Sequence, residues 1–326
     1  QLHLSFFPRK KQAYNALVFE VYFLQFVVLL KLDMRKRSFL LIMFLFVTML
    51  LKGQSIPHFN LYSYNYALFN PAAAGADKKH IIAAQGQLGV DTEITDDLKF
   101  DYNGLLSYEG NFSPINSGIG AFVVRTGSEG INTMKAGVSY NYKIEFAPST
   151  SLRVGVRPTF TRHTVSFDFA LDEEKESSTK TDLDLGLYFN TFGFYVGASM
   201  NNILKHKHEF GVFESNDFYS DQLLSVVVGK KINTPVISID PSLAYVTHDD
   251  FSVLYLNSNF VLAKMFMFGG TYGQSLDSEG YNLSANVGMS IVGKVDLIAH
   301  VYSRQRHRPE TSSDYKFFEG MIRVKI

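Results

Sequence analysis

The chain has 326 residues, with 31 Lys and Arg balanced by 31 Asp and Glu, nine His, and no Cys or Trp. That length allows a sizeable core, as one large β-domain or as two smaller domains. The charge balance argues against a nucleic-acid partner, which calls for a basic excess, and the missing Cys excludes disulfide scaffolds, Cys-liganded metal sites and thiol catalysis.

The first 53 residues are expected not to belong to the folded domain. Residues 1–33 precede the first methionine and are expected to be translated upstream leader sequence. Within them Ala16–Leu30 is apolar but is interrupted by Glu20 and Gln25; an uncleaved amphipathic anchor is the other reading. Met34-Arg35-Lys36-Arg37 then opens a basic region, followed by the apolar run Ser38–Leu51 and Lys52-Gly53-Gln54. This is the layout of a cleaved signal peptide over 34–53, too short for a comfortable membrane-spanning helix. The mature chain is expected to begin near Gln54.

From about His80 onward the pattern has period two. Met134, Ala136, Val138, Tyr140, Tyr142, Ile144 and Phe146 alternate with Lys135, Gly137, Ser139, Asn141, Lys143 and Glu145. Tyr281–Ile291 alternates in the same way, as do the stretches around Val154 and Leu185. Such alternation puts one face against an apolar medium and the other against a polar one. About fourteen segments follow, centred near residues 85, 106, 121, 139, 156, 187, 197, 226, 242, 256, 267, 286, 299 and 320. Each has about the 9–11 residues that cross a bilayer at a tilt. Connections after odd-numbered segments look long (166–181, 201–219, 274–280, 305–313), and those after even-numbered segments look tight, as at Ala147–Thr150 and Thr191–Gly193. Tight turns on one side and longer loops on the other mark a transmembrane barrel of the outer-membrane type, with an even strand count closing the sheet. Aromatics near segment ends (Tyr140, Tyr142, Phe146, Tyr188, Phe189, Phe266, Phe268, Tyr272) suit interfacial girdles. The closing segment Lys316–Ile326 alternates too, although assembly signals there commonly end in an aromatic and this one ends in Ile326.

The domain reading is therefore a leader over 1–33, a signal peptide over 34–53, an amino-terminal periplasmic or plug segment over 54–79, and an all-β antiparallel barrel over 80–326. Within the third part, Pro71 fixes its own φ and pushes Asn70 to extended backbone, while Gly75 permits a positive φ. Asn70, Pro71 and Gly75 are the residues expected to make plug or partner contact. A plain turn leading into the first strand accounts for them equally well.

Two stretches carry a family resemblance: Gln54-Ser55-Ile56-Pro57-His58-Phe59-Asn60-Leu61-Tyr62, then Asn70-Pro71-Ala72-Ala73-Ala74-Gly75. They resemble the PorP/SprF family of Bacteroidota outer-membrane proteins, in which Asn-Pro-Ala-x-x-Gly precedes the first strand. Phe194–Asn202, Pro241-Ser242-Leu243 and Met267–Tyr272 extend the likeness in order along the mature chain. The resemblance implies a non-enzymatic barrel in type IX secretion and gliding motility. Its implied partners are outer-membrane lipid, a periplasmic peptidoglycan-binding lipoprotein, the type IX motor complex and a large secreted surface adhesin. It implies no cofactor.

Other candidate chemistry is thin. His206-Lys207-His208 is the one histidine grouping, and Lys207 sets a repelling charge where a metal would sit. Asp172-Glu173-Glu174-Lys175-Glu176 reads as a solvated loop tip without the Gly turn of a calcium loop. Arg304, Arg306, His307 and Arg308 could meet lipopolysaccharide phosphates or an acidic partner, with ordinary solvated charge as the simpler reading. Neither a Gly-x-Ser-x-Gly elbow nor a phosphate loop is present. Two other functions fit a barrel of this size: an outer-membrane channel or hydrophobic-solute transporter, and a structural barrel that tethers the envelope.

Overall fold

The structure, a computed structural model, describes residues 63–77, 80–91, 100–128, 130–169, 172–208, 210, 218–219, 222–248, 251–277, 280–308 and 311–326. The expected leader and signal peptide, with residues 54–62 and 78–79, lie outside the described residues.

Fourteen strands form the wall. They are β1 (Ile81–Asp91), β2 (Phe100–Phe112), β3 (Ser117–Ser128), β4 (Ile131–Ala147), β5 (Thr150–Phe169), β6 (Asp172–Thr191) and β7 (Phe194–Asn201). The second half comprises β8 (Leu223–Lys230), β9 (Ile237–His248), β10 (Phe251–Leu262), β11 (Phe266–Ser275), β12 (Tyr281–Ile291), β13 (Val295–Arg308) and β14 (Thr311–Lys325). Each pairs antiparallel with its neighbours in sequence, and β1 closes on β14 from Ile81↔Lys325 to Asp91↔Tyr315. Every strand has a partner on both sides, so the sheet closes on itself, as backbone polar groups in lipid require. The loop-end part of β6, before Leu185, pairs with β5 alone. Both chain directions meet at one end, where Ile326 N–H donates to the His80 carbonyl (2.8 Å).

The alternation sorts the two faces as expected. On β4, Lys135, Gly137, Ser139 and Asn141 are buried inward while Met134, Val138, Tyr140 and Tyr142 are exposed outward. On β12, Asn282, Ser284, Asn286 and Ser290 point in, and Tyr281, Leu283, Val287, Met289 and Ile291 point out. The outward set is a lipid-facing surface, and the inward set mixes polar side chains with buried apolar ones such as Leu105, Phe122 and Val124, against which Leu68 packs.

Connection lengths differ from expectation at two places. The stretch 166–181, including the charged run Asp172–Glu176, is not a loop: β5 and β6 stay paired up to Phe169↔Asp172. Likewise β13 and β14 pair up to Arg308↔Thr311. The stretches 202–222 and 276–280 do connect strands, after β7 and β11. At the opposite, turn end every connection is short, as in Phe192-Gly193 and Val292–Lys294.

Candidate functional site

The lumen contains part of the chain itself. Residues 63–77 run between the walls as two short 3₁₀ turns, Tyr66–Leu68 and Pro71–Ala73. Asn70 stands before the second turn with extended backbone (φ −126°, ψ 109°), and its side-chain oxygen accepts from Ala72 N–H at 2.9 Å. Pro71 occupies the first helical position, where a missing N–H costs nothing. Gly75 ends the run with φ +68°. A Cβ there would strike the Gly110 backbone, with Asn111 N only 2.9 Å away, so no other residue fits.

The wall is shaped to receive this segment. One hydrogen-bonded row crosses β3 to β8 through Gly118, Asn141, Gly155, Gly186, Ser199 and Ser225, all facing inward. Three of the six have no side chain, and the segment's backbone lies in the space they leave. A Cβ on Gly155 would come within 2.6 Å of Ala72 Cα, and one on Gly186 within 3.0 Å of Pro71 Cδ. The polar members of the row hold what the glycines admit. Asn141 Nδ2 donates to the carbonyls of Pro71 (3.2 Å) and Ala74 (2.9 Å), and Ser199 Oγ donates to that of Phe69 (2.8 Å). Asn70 Nδ2 donates outward to the Leu187 (2.9 Å) and Ala198 (3.3 Å) carbonyls. Gly75 N–H donates to Glu109 Oε2 (3.0 Å), and Asn111 Nδ2 returns a bond to the Gly75 carbonyl (2.9 Å). The far wall joins in: Asn259 donates to Ser63 Oγ (2.8 Å) and Asn286 to Tyr64 OH (2.9 Å). Asn70, Pro71, Ala72 and Ala74 are fully buried as a result.

Charge ties the segment to the wall as well. Arg157 and Asp184 face each other across the β5–β6 ladder, both wholly buried, with Nε to Oδ2 at 2.8 Å. Arg157 also donates to the Ala67 carbonyl (3.0 Å) and to Asn201 Oδ1 (3.1 Å) and lies 4.9 Å from the Phe122 ring centre. Asp184 Oδ1 accepts from Asn202 N–H (2.8 Å), and Lys135 Nζ donates to Asn202 Oδ1 (2.6 Å). Each guanidinium nitrogen and both carboxylate oxygens of the buried pair thus have a partner, the condition under which an ion pair in a dry interior is tolerated. Nearer the turn end Asp77 pairs with Lys231 (2.5 Å). Burial works to lower the Lys231 pKa, but Asp77 and Asp240 outweigh it, and the net direction is up. Burial pushes the Tyr64 phenol up to about 12 and raises that of Tyr66 as well.

Toward the turn end, a cavity of about 350 Å³ remains between Tyr64, Tyr66, Asp240, Asp296 and Arg323. The sequence reading singled out Asn70, Pro71 and Gly75, and the structure brings all three to the wall contacts described. It did not find the glycine row, Asn141, Arg157 or Asp184. Of the remaining candidates, His208 is buried against His163 (ring centres 4.3 Å apart), with Nδ1 3.1 Å from Ser178 Oγ. Burial first, then His163, Lys180 and His206, lower its pKa to about 4. Among the described residues no three His, Asp or Glu side chains come together as a metal site. The side chains of Arg304, Arg306, His307 and Arg308 lie outside the described residues.

Solved structures of similar shape are outer-membrane barrels. The Ralstonia pickettii toluene transporter TbuX superposes with a TM-score of 0.56 at 9% identity, over 79% of this chain and 92% of that one. A Pseudomonas aeruginosa FadL homologue gives 0.53 at 10% identity (79% and 93%). The Pseudomonas putida toluene transporter TodX gives 0.52 at 10% identity (80% and 93%). At such identity the likeness speaks for the fold alone, an outer-membrane barrel. No curated protein matches the chain by sequence. Residues 51–305 match the family described as type IX secretion system membrane protein PorP/SprF. That match takes in the lumenal segment together with β1 to β12 and most of β13, and the chain belongs to the PorP/SprF family.

Proposed function

We propose that this barrel is a non-enzymatic adaptor in type IX secretion and gliding motility. In this reading it links a periplasmic motor or peptidoglycan-associated complex, through a peptidoglycan-binding lipoprotein, to the delivery or anchoring of a large surface adhesin. The observation that carries the reading is the occupied lumen of a secretion-family barrel. Residues 63–77 are bonded to both walls, and Asn70 to Gly75 lie in a row of wall glycines cut to their backbone. A pore has no use for such a fit; a platform gains rigidity from it. Residues 54–79 act in this reading as a plug held by Asn70, Pro71 and Gly75, with the short-turn end toward the periplasm.

A channel for hydrophobic solutes is the second reading, favoured by the fold likeness to TbuX and TodX, which are toluene transporters. The lumen lining weighs against it: Asn141, Arg153, Arg157, Asp184, Ser199 and Asn257 face inward and are buried. An apolar solute gains nothing by replacing water against such groups.

The test is isolation of the full-length barrel from native outer membranes, with an epitope tag at residues 170–171 so that Ile326 stays free. Co-isolated proteins are identified by mass spectrometry. Recovery of a peptidoglycan-binding lipoprotein together with a large adhesin is expected. The lipoprotein without an adhesin would favour an envelope tether instead. A barrel that brings no protein would overturn the adaptor and favour the channel.

A further inference from the structure

The lipid-facing wall holds a groove. Across β2, β1, β14 and β13, one hydrogen-bonded row of outward positions reads Gly104, Gly86, Gly320 and Ala299. A Cβ on any of the three glycines would meet nothing within 4 Å. Two rows of larger side chains border this floor. Leu106, Ile322 and Leu297 stand toward the turn end, and Tyr102, Leu88 and Phe318 toward the loop end. On each strand the two rows are four residues apart, about 13 Å between backbones. Their side chains narrow the gap well below the 10–12 Å that a helix needs. The groove is shallow and open along its outer side.

One end of the groove is charged. The row continues from Gly104 to Arg125 on β3, which lines the groove, and then through Met134 to Arg162 on β5. Both arginines face outward and are exposed. Because the strands tilt, the row climbs from Ala299, near the turn end of β13, to Arg125 and Arg162 in the loop-end halves of their strands. Among the described outward side chains of all fourteen strands, the charged ones are Arg125, Arg162, Lys175 and Lys316 in loop-end halves and Lys230 at the turn end. None is a carboxylate. Among the described outward side chains, cations thus gather mainly in the loop-end halves and no carboxylate is found, a distribution matched to an anionic leaflet.

We infer that this groove is the seat of one phosphorylated lipid of the outer leaflet, of the lipid A type. An acyl chain lies over Gly104, Gly86, Gly320 and Ala299, and the phosphate is held by Arg125 and Arg162. Four inter-strand steps from Arg125 to Ala299 span roughly 19 Å. That is a little more than half of the roughly 30 Å hydrocarbon core, as a tilted chain of one leaflet requires. Arginine suits the headgroup because its planar fork binds phosphate oxygens in pairs. The site also sets the loop end toward the cell exterior, and it does not depend on the secretion reading.

The experiment is native mass spectrometry of the full-length barrel in mild detergent with added lipid A, dephosphorylated lipid A, phosphatidylglycerol or phosphatidylcholine. The wild type is expected to retain one lipid A preferentially. R125A/R162A should reduce its occupancy by roughly tenfold, and removal of the phosphates should do the same. Gly86→Leu with Gly320→Leu fills the floor and should reduce occupancy with the arginines intact, whereas Ala198→Leu on β7 should not. Gel migration of unheated samples verifies that each variant is folded; the arginine pair, at exposed positions, suffices if the leucine variant is not. Unchanged occupancy in R125A/R162A would overturn the site. Equal retention of phosphatidylglycerol would overturn its assignment to lipid A.

Discussion

Gly155 and Gly186 stand directly opposite each other in the β5–β6 ladder, and the Asn70–Ala72 backbone occupies the room left by their missing side chains. Side chains placed there must displace either the wall or the segment, and the wall is fixed by ladder bonds on both sides. Gly155→Leu should therefore expel residues 67–75, because overpacking a fitted contact costs about 1–3 kcal/mol. Limited proteolysis of the folded barrel checks this: cleavage within 63–77 should accelerate while the barrel itself stays intact. Protection equal to wild type would refute the fit.

Arg157→Ala leaves Asp184 buried without the guanidinium it pairs with, a loss of about 3–5 kcal/mol by the usual cost of orphaning a buried charge. Replacing both by apolar residues, as in Arg157→Met with Asp184→Leu, should recover most of it. Urea unfolding of the refolded barrel reads the difference. A single variant as stable as wild type would show that the pair is not dry.

Asn70 separates two effects. Asn70→Ala removes a cap and two donations to wall carbonyls, about 2–3 kcal/mol in all. Asn70→Asp keeps the acceptor toward Ala72 N–H but turns a carboxylate on the Leu187 and Ala198 carbonyls. It should loosen the segment more than alanine does, as measured by hydrogen exchange of residues 63–77. The reverse order would mean that the side-chain donations carry little.

Alkali should free the segment before it unfolds the wall. With its pKa raised from 10.0 to about 12, the Tyr64 phenol stays neutral in the bound state longer than in the released one. The raised pKa gives a contribution that is complete below pH 10 and is lost as pH rises from about 10 through 12. Lys231, also raised, acts in the same direction. Protease access to 63–77 should climb across that window, and Tyr64→Phe should flatten the climb. A flat wild-type profile from pH 9 to 12 would contradict the burial of Tyr64.

The barrel was legible because each strand separates lipid from a wet lumen, and that contrast is written into every second residue. The hairpin tops were not. Around Thr164 and Ser177 the outward positions turn polar as well, so the apolar–polar alternation fades there although the backbone ladder continues. Reading 166–181 as a loop also hid Arg157 and Asp184, which become partners once the ladder is known to run up to Phe169↔Asp172. Asn70, Pro71 and Gly75 could be singled out because their backbone demands are local. Gly118, Gly155 and Gly186 could not, since an inward glycine on a strand looks like any other until register aligns three of them.

A plugged lumen is tested most directly by ion conductance of the full-length barrel in a planar lipid bilayer. The wild type should insert without stepwise conductance, and Gly155→Leu should open steps of a size suited to a fourteen-strand pore. Equal, large steps from wild type and variant alike would contradict the plug and return the barrel to the class of open channels.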